Sequence, residues 1–439
     1  MNKIIPPDQA QRDLIETRLD VNLLVEAAAG TGKTTGMVAR LAALVSSGRC
    51  RPENLAAVTF TRKAAGELRA RFQQKLEELA AAESSPAAGT AFREALEHPE
   101  RCFVGTIHSF CARLLRERPV EARVDPDFEE IDEERDEALR EQAWYEFVAS
   151  LYARESSLLD ELAEAGLEPG TLYSAYRKFC DFPDVDQWPA PQVELPDTAG
   201  LKAALVDYAE HMRSLAAQLP EEYGTDQLIP EYKKIPRLLR QANLDNPAQL
   251  AEIMASFRER SATIRYWPSR EVRDREVERW EAFRVEWAEE FNRTWRARRY
   301  RVVIEALKQA AAYYAGMRRR LGVLNFADLL LAARDLLAGS VPARRYFSRS
   351  ITHLLVDEFQ DTDPLQAEII LLLTADDPAC RDWRRCRPRP GALFVVGDPK
   401  QSIYRFRRAD IVTYNQVKEV IRDNGGLLVS LSANFRSRP

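Results

Sequence analysis

The sequence predicts an α/β fold: a parallel sheet with flanking helices, interrupted by a large, mainly helical insertion. Three observations carry this. Short apolar runs alternate with helical periods over residues 1–120. Helical periods alone fill residues 121–320, and the alternation returns over 321–430. A strand-like run then leads to residues 431–439, where the chain reads as the start of a further domain.

In order, Leu23-Leu24-Val25 is a short buried strand, followed by a Gly-containing turn and a helix through Ser46. Leu55–Phe60 is a second strand and Lys63–Ala82 a helix. Cys102–Val104 is a third strand and Ile107–Glu117 another helix. Parallel strands joined by helices offer ligands the carboxyl ends of the strands. The middle stretch is rich in Glu, Arg, Ala, Leu, Trp and Tyr, with helical periods such as Glu271–Asn292. Pro-rich breaks lie at Phe182–Pro196 and Pro220–Pro236, and no solenoid-length repeat occurs. Thr352–Val356, Ala392–Val396 and Gly426–Leu431 are the later strands. Pro364–Leu373 begins a helix that Thr362 or Asp363 caps.

The chain of 439 residues has room for about three domains, and 45% apolar with 30% charged residues supports folded cores. No window approaches ~18 uninterrupted apolar residues, so no membrane-spanning helix is expected. Met1–Gln11 lacks the pattern of a secretion signal. Six scattered cysteines without a CxxC pair argue against a zinc or iron–sulfur site and fit a reducing cytoplasm. The net charge of −5 conceals strong segregation. Asp125–Glu141 holds ten acidic residues against two Arg. Asn292–Arg320 holds nine basic residues against one Glu, and Arg381–Arg408 nine against two Asp. Local fields of this kind matter more for docking than the total; each basic stretch reads either as a nucleic-acid surface or as a solvated helical face.

Ala27-Ala28-Ala29-Gly30-Thr31-Gly32-Lys33-Thr34 has the phosphate-loop form, with Ala at its first position and Thr35 following. It lies between a strand and a helix, where backbone N–H groups and the positive helix end receive phosphate oxygens. Lys33 reaches the β and γ phosphates in such a loop, and the Thr34 hydroxyl suits Mg²⁺. Leu354-Leu355-Val356-Asp357-Glu358-Phe359-Gln360-Asp361 supplies the partner: an apolar strand delivering two carboxylates. Asp357 is expected to hold Mg²⁺, and Glu358 to position and deprotonate the attacking water. The expected ligands are therefore ATP and Mg²⁺.

The run Asp-Glu-Phe-Gln-Asp-Thr at 357–362 resembles motif II of the superfamily-one helicases of the UvrD/Rep/PcrA and RecB/AddA type. Five further segments resemble that family in order: Val58–Leu68 motif Ia, Gly105–Cys111 motif Ib, Asn325–Leu330 the FxDLL segment, Val396–Arg407 motif III and Leu431–Ser437 motif IV. The matches occupy about half the chain, on either side of the insertion. The resemblance implies a RecA-like domain acting on DNA with ATP, moving 3′ to 5′ on single strands in repair or recombination. It implies that Gln401 senses the γ-phosphate, that Arg436 reaches it from across the cleft, and that Phe435 stacks on adenine where the family often has Tyr. Gln9 and Gln11 compete for the adenine-reading glutamine, with the spacing favouring Gln11. Arg40 either lines the nucleotide site or forms a surface salt bridge.

For DNA, Phe60, His108, Tyr404 and Phe406 are the aromatic candidates. Stacking tolerates any base and contributes ~1–3 kcal/mol each, which suits a motor moving along any sequence. Phe406 stands where the family often has Trp, and Tyr404 either stacks or supports it. Thr59, Thr61, Thr106 and Ser109 offer hydroxyls to phosphates, and Arg407 is a candidate link between the two sites. A metal role for His108 is not expected, since no second ligand has suitable spacing. In the insertion, Trp295 and Tyr300 lie among Arg293, Arg296, Arg298, Arg299 and Arg301; Trp295 is either core or a stacking platform. By resemblance the insertion corresponds to the 1B subdomain, and its ~200-residue length is nearer the RecB/AddA side, a likeness that would bring a partner subunit with it.

The family motor needs a second RecA-like domain carrying motifs V and VI, with an arginine finger that in NTPases contributes ~10³–10⁵-fold. Only Ser437, Arg438 and Pro439 follow Arg436. The chain thus reads as the N-terminal motor half, expected to turn over ATP little by itself. The alternative is a nucleotide-gated DNA-binding or assembly module without turnover. A small-molecule kinase explains neither the Gln401 segment nor the motif II run.

Overall fold

The computed structural model describes residues 6–82, 86–185, 187–189, 197–401 and 411–434, with side chains of 82–91 left aside. The chain divides into two compact units: Met1–Asp132 with Gly322–Pro439, and Glu133–Leu321.

The first unit is built on a six-stranded parallel sheet. Its strands are β1 (Leu23–Ala27), β2 (Leu55–Thr59), β3 (Phe103–Thr106), β6 (His353–Val356), β7 (Leu393–Gly397) and β8 (Leu427–Leu431). A two-stranded parallel ribbon, β4 (Glu129–Glu130) with β5 (Val323–Leu324), lies between β3 and β6 in sequence. The order across the main sheet is β3-β2-β6-β7-β1-β8. Registers such as Val58 with Val356, Val356 with Val395 and Val25 with Val396 align the strands in parallel. β2 and β7 are buried along their whole length, as near-continuous apolar runs require.

Alternation along each strand sends neighbours to opposite faces. Leu354, Leu393 and Val395 join Phe110, Leu114, Phe347 and Ile370 on one side. Leu355, Phe394 and Val396 join Leu23, Val25, Met37, Leu41 and Phe72 on the other. Each such side chain contributes about 1.5–3 kcal/mol by leaving water. The six strands of the main sheet lie within one or two residues of those read from sequence, whereas the short β4–β5 ribbon was not expected. Asp363, not Thr362, caps Pro364–Thr374, accepting from the Gln366 amide at 2.7 Å. The helix Phe326–Gly339 opens with a reciprocal capping box between Asn325 and Asp328.

This topology places the motifs that follow the main-sheet strands at one edge. The phosphate loop follows β1, the Thr59–Arg62 turn follows β2, and Thr106 ends β3. Asp357 follows β6, Asp398 follows β7, and residues 432–434 follow β8. All are carboxyl ends of parallel strands.

The second unit is helical, with cores of its own around Tyr208, Tyr232, Trp280 and Phe291, and around Trp144, Tyr176 and Tyr314. The helical period expected over Glu271–Asn292 continues much further. Arg270–Phe283 passes through one π turn at Arg284–Ala288 into Glu289–Leu321, a 33-residue helix. No Gly or Pro interrupts the chain from Arg270 to Ala315, so nothing stops helix propagation. Trp295 is 7% exposed and stacks beside Phe291 in the core, which removes it as a base platform; Tyr300 is exposed. Among the described residues, no helix is long and apolar enough to cross a membrane.

Candidate functional site

The phosphate loop leaves β1 at Ala27, with Ala28 and Ala29 exposed and Gly30 and Gly32 at φ 81° and 88°. Those left-handed values suit glycine and turn successive amides inward. Gly32 caps the helix Lys33–Ser46 without a side-chain acceptor, so the first amides of that helix remain available to an anion. Thr31 is buried, and its hydroxyl donates to the Ala28 carbonyl at 2.8 Å, closing the loop. Thr34 is half-buried and Thr35 exposed.

Opposite the loop, Lys33 Nζ lies 2.8 Å from Glu358 Oε2, joining residues from the ends of β1 and β6. Glu358 has φ 51°, a left-handed value rare for a side chain of its kind and held here by the turn Phe359–Asp361. Its side chain stays 35% exposed, leaving room for water beside the carboxylate. Asp357 is buried, and one of its oxygens accepts from the Glu358 amide at 2.9 Å. Burial, reinforced by the Glu358 charge, pushes the Asp357 carboxyl up to about 6. Burial and Glu358 raise Asp361 to about 6 as well, and its Oδ1 has no hydrogen-bond partner among the described residues.

This donor set fits a magnesium nucleotide. Loop amides and the Lys33 ammonium would suit phosphates, while a hydroxyl and a buried carboxylate are the hard oxygens Mg²⁺ prefers. A lone carboxylate driven toward its neutral form by burial is also what a cation would relieve. Without ligands, Asp357→Asn is therefore expected to stabilise the chain. The folded group has its pKa raised, so the native charge is a penalty that grows as pH rises from about 4 to about 6 and is full above that. The gain is expected to be ~1–3 kcal/mol at pH 7 and absent near pH 3, read from thermal melts at both pH values.

After β7, Asp398 and the turn Pro399–Gln401 bring Gln401 into the same neighbourhood. Gln401 Nε2 donates to Asp398 Oδ2 at 2.8 Å. The Asp398 amide donates to Gln360 Oε1 at 2.8 Å, while Gln360 Nε2 donates to Glu358 Oε2 at 2.7 Å.

At the amino end, Asp8 and Arg12 form an ion pair at 2.9 Å on the helix Gln9–Thr17. Arg12 donates to the Thr31 carbonyl at 2.9 Å. Asp8 Oδ2 accepts from the Ser432 and Ala433 amides at 2.8 and 2.9 Å. Burial works against the Asp8 charge, but Arg12 and the two amides hold its carboxyl down to about 2. These two residues thus bind the phosphate loop and the segment after β8, a role the sequence reading missed. The i,i+4 Asp–Arg spacing was its only visible signal. Gln9 donates to Asp13 at 2.7 Å and Gln11 is exposed.

Arg40 requires correction. It is fully buried and lines neither the nucleotide cleft nor a surface salt bridge. Its guanidinium donates to the carbonyls of Ile15, Arg18 and Val21 at 3.0–3.1 Å, and lies 5.0 Å from the Phe394 ring centre. Thr59 is also corrected: it is buried, and its hydroxyl donates to the Thr61 carbonyl at 3.0 Å, shaping the turn rather than facing a phosphate. Thr61 accepts from the Ala64 amide, and Thr106 from the Ser109 amide, so both begin helices. Phe60 is half-buried at this edge. His108 packs against Phe326 with ring centres 5.0 Å apart, and burial lowers its pKa. Phe326, 41% exposed, was not among the aromatic candidates. Tyr404, Phe406, Arg407, Phe435 and Arg436 lie outside the described residues.

The UvrD/REP helicase N-terminal domain matches residues 8–422. The chain is 28% identical to an ATP-dependent helicase/nuclease subunit of Listeria welshimeri, over 95% of this chain and 37% of that protein. It is 26% identical to the protein of the same description from Geobacillus kaustophilus and 27% to that from Bacillus licheniformis, over the same shares. The chain spans a little over a third of the length of these curated relatives.

Proposed function

Since the chain belongs to the UvrD/REP helicase family, matched from residue 8 to residue 422, we propose that it is the ATP-hydrolysing portion of a DNA helicase or translocase of repair or recombination, moving 3′ to 5′. The observation that supports this most is the 2.8 Å contact between Lys33 and Glu358, which joins a phosphate cradle and a carboxylate base in one cleft.

In this reading residues 1–120 and 321–430 form the first RecA-like domain, residues 121–320 a 1B-like insertion, and residues 431–439 lead into a second RecA-like domain. ATP phosphates settle on the loop amides and draw Lys33 away from Glu358. The freed carboxylate accepts a proton from the attacking water. Thr34 and Asp357 would hold Mg²⁺, which would neutralise charge on the phosphates. Gln11 or Gln9 reads adenine, Phe435 stacks on it, and Gln401 and Arg436 meet the γ-phosphate. Phe60, Thr61, Thr106, His108, Tyr404, Phe406 and Arg407 face single-stranded or partly duplex DNA. A cytoplasmic setting agrees with six free cysteines. The relatives are described as one subunit of a helicase/nuclease, which supports a partner subunit.

The test is DNA-stimulated ATP hydrolysis by this chain and by the full-length protein, side by side. Little turnover is expected from the chain, because the second RecA-like domain and its arginine finger complete the site. Equal turnover in both would overturn this division of labour.

A further inference from the structure

We infer that Gln360 is a positioning residue that fixes the Glu358 carboxylate and ties it to the turn carrying Gln401; the inference rests on the reading of Glu358 as base. Gln360 is 4% exposed, and both ends of its amide are engaged. Oε1 accepts from the Asp398 amide at 2.8 Å, and Nε2 donates to Glu358 Oε2 at 2.7 Å. The orientation is forced. A backbone N–H can only donate, so the carbonyl end must face Asp398. A carboxylate accepts, so the NH₂ end must face Glu358.

Glu358 Oε2 has two side-chain donors, Lys33 at 2.8 Å and Gln360 at 2.7 Å. Arriving phosphates compete for Lys33, since they carry more negative charge than one carboxylate. Gln360 then remains on Oε2, and Oε1 is left for water. At its other end, Asp398 accepts from Gln401 Nε2 at 2.8 Å through Oδ2 and from the Lys400 amide at 3.1 Å through Oδ1. A shift of Gln401 on meeting the γ-phosphate or DNA therefore moves Asp398, whose amide holds Gln360. The close approach needs Gly397: a Cβ there would lie 2.9 Å from Gln360 Oε1 and 3.2 Å from the Gln360 amide nitrogen.

The test uses the full-length protein with saturating single-stranded DNA. Gln360→Glu keeps an acceptor for Asp398 but turns a carboxylate toward Glu358. Gln360→Met removes both bonds. Both are expected to lose about 10–100-fold in kcat, part of what a general base contributes. KM for ATP and affinity for a fluorescent ADP are expected to stay within about threefold. A merely structural brace predicts otherwise: Gln360→Glu would keep the parental kcat and only Gln360→Met would fall. That result overturns the inference, as does equal loss of affinity and turnover. Should Gln360→Met fail to fold, the near-isosteric Glu variant decides. Glu358→Gln is run in parallel. If it hydrolyses ATP normally, the base assignment fails and this inference with it. If it is inactive while both Gln360 variants keep the parental kcat, the inference alone fails.

Discussion

Glu358→Gln in the full-length protein is expected to bind ATP and to hydrolyse it ~10²–10⁴-fold more slowly, the range forfeited when a general base is lost. The substitution is nearly isosteric. It keeps an oxygen for the Gln360 amide, 2.7 Å away, but can no longer take a proton from water. It also removes the carboxylate that Lys33 contacts at 2.8 Å. Lys33 then keeps only a neutral amide oxygen, a weaker hold than the carboxylate, so affinity is expected to hold or rise. Lys33→Ala is the contrast. It removes a phosphate partner, so affinity and turnover fall together. Equilibrium binding of a fluorescent nucleotide and steady-state hydrolysis separate the two. Parental turnover in Glu358→Gln would refute the base assignment.

The two variants differ because the cleft couples them. Before nucleotide binds, Lys33 and Glu358 neutralise each other with side chains 11% and 35% exposed. Glu358 keeps a third of its side chain in solvent, so water and an arriving phosphate can compete for the contact. It is therefore easily exchanged for a phosphate, which a deeply buried pair would resist.

Which features were legible follows from their chemistry. The six main-sheet strands were read within a residue or two because a parallel sheet buried on both faces demands unbroken apolar runs, as at Leu55–Thr59 and Leu393–Gly397; the two-residue strands β4 and β5 are too short to leave such a run. Gly30 and Gly32 mark left-handed backbone, and only a few residue types tolerate it. Lys33 and Glu358 are 325 residues apart, yet each follows a strand of one parallel sheet, so topology brings them to the same edge. Partners that are backbone groups leave no such trace. Asp8 binds amides 424 and 425 residues away, and any residue supplies an amide. Trp295 was ambiguous for another reason. A Trp among arginines on a long helix reads as core or platform, and only the helices packed on it decide.

Arg40→Ala is expected to destabilise the chain by roughly 3–5 kcal/mol while leaving nucleotide affinity unchanged at temperatures where it is folded. Arg40 ends three hydrogen bonds at once, to Ile15, Arg18 and Val21, at zero exposure. Two of these carbonyls close the helix Gln9–Thr17, where a cation also complements the helix dipole. The third lies just before β1. Burial lowers the guanidinium pKa to about 10, still far above neutral, so the group stays charged and its removal strands buried acceptors. Arg40→Met separates the contributions. It restores the aliphatic packing beside Phe394 but none of the bonds, so it is expected to recover only part of the loss. Arg40→Lys is not conservative here, because one ammonium cannot reproduce a planar fork meeting three carbonyls. A melting temperature lowered on the order of 10 °C for Ala, with a smaller fall for Met, is the expected reading. A tenfold loss of nucleotide affinity with unchanged melting would instead return Arg40 to the nucleotide site.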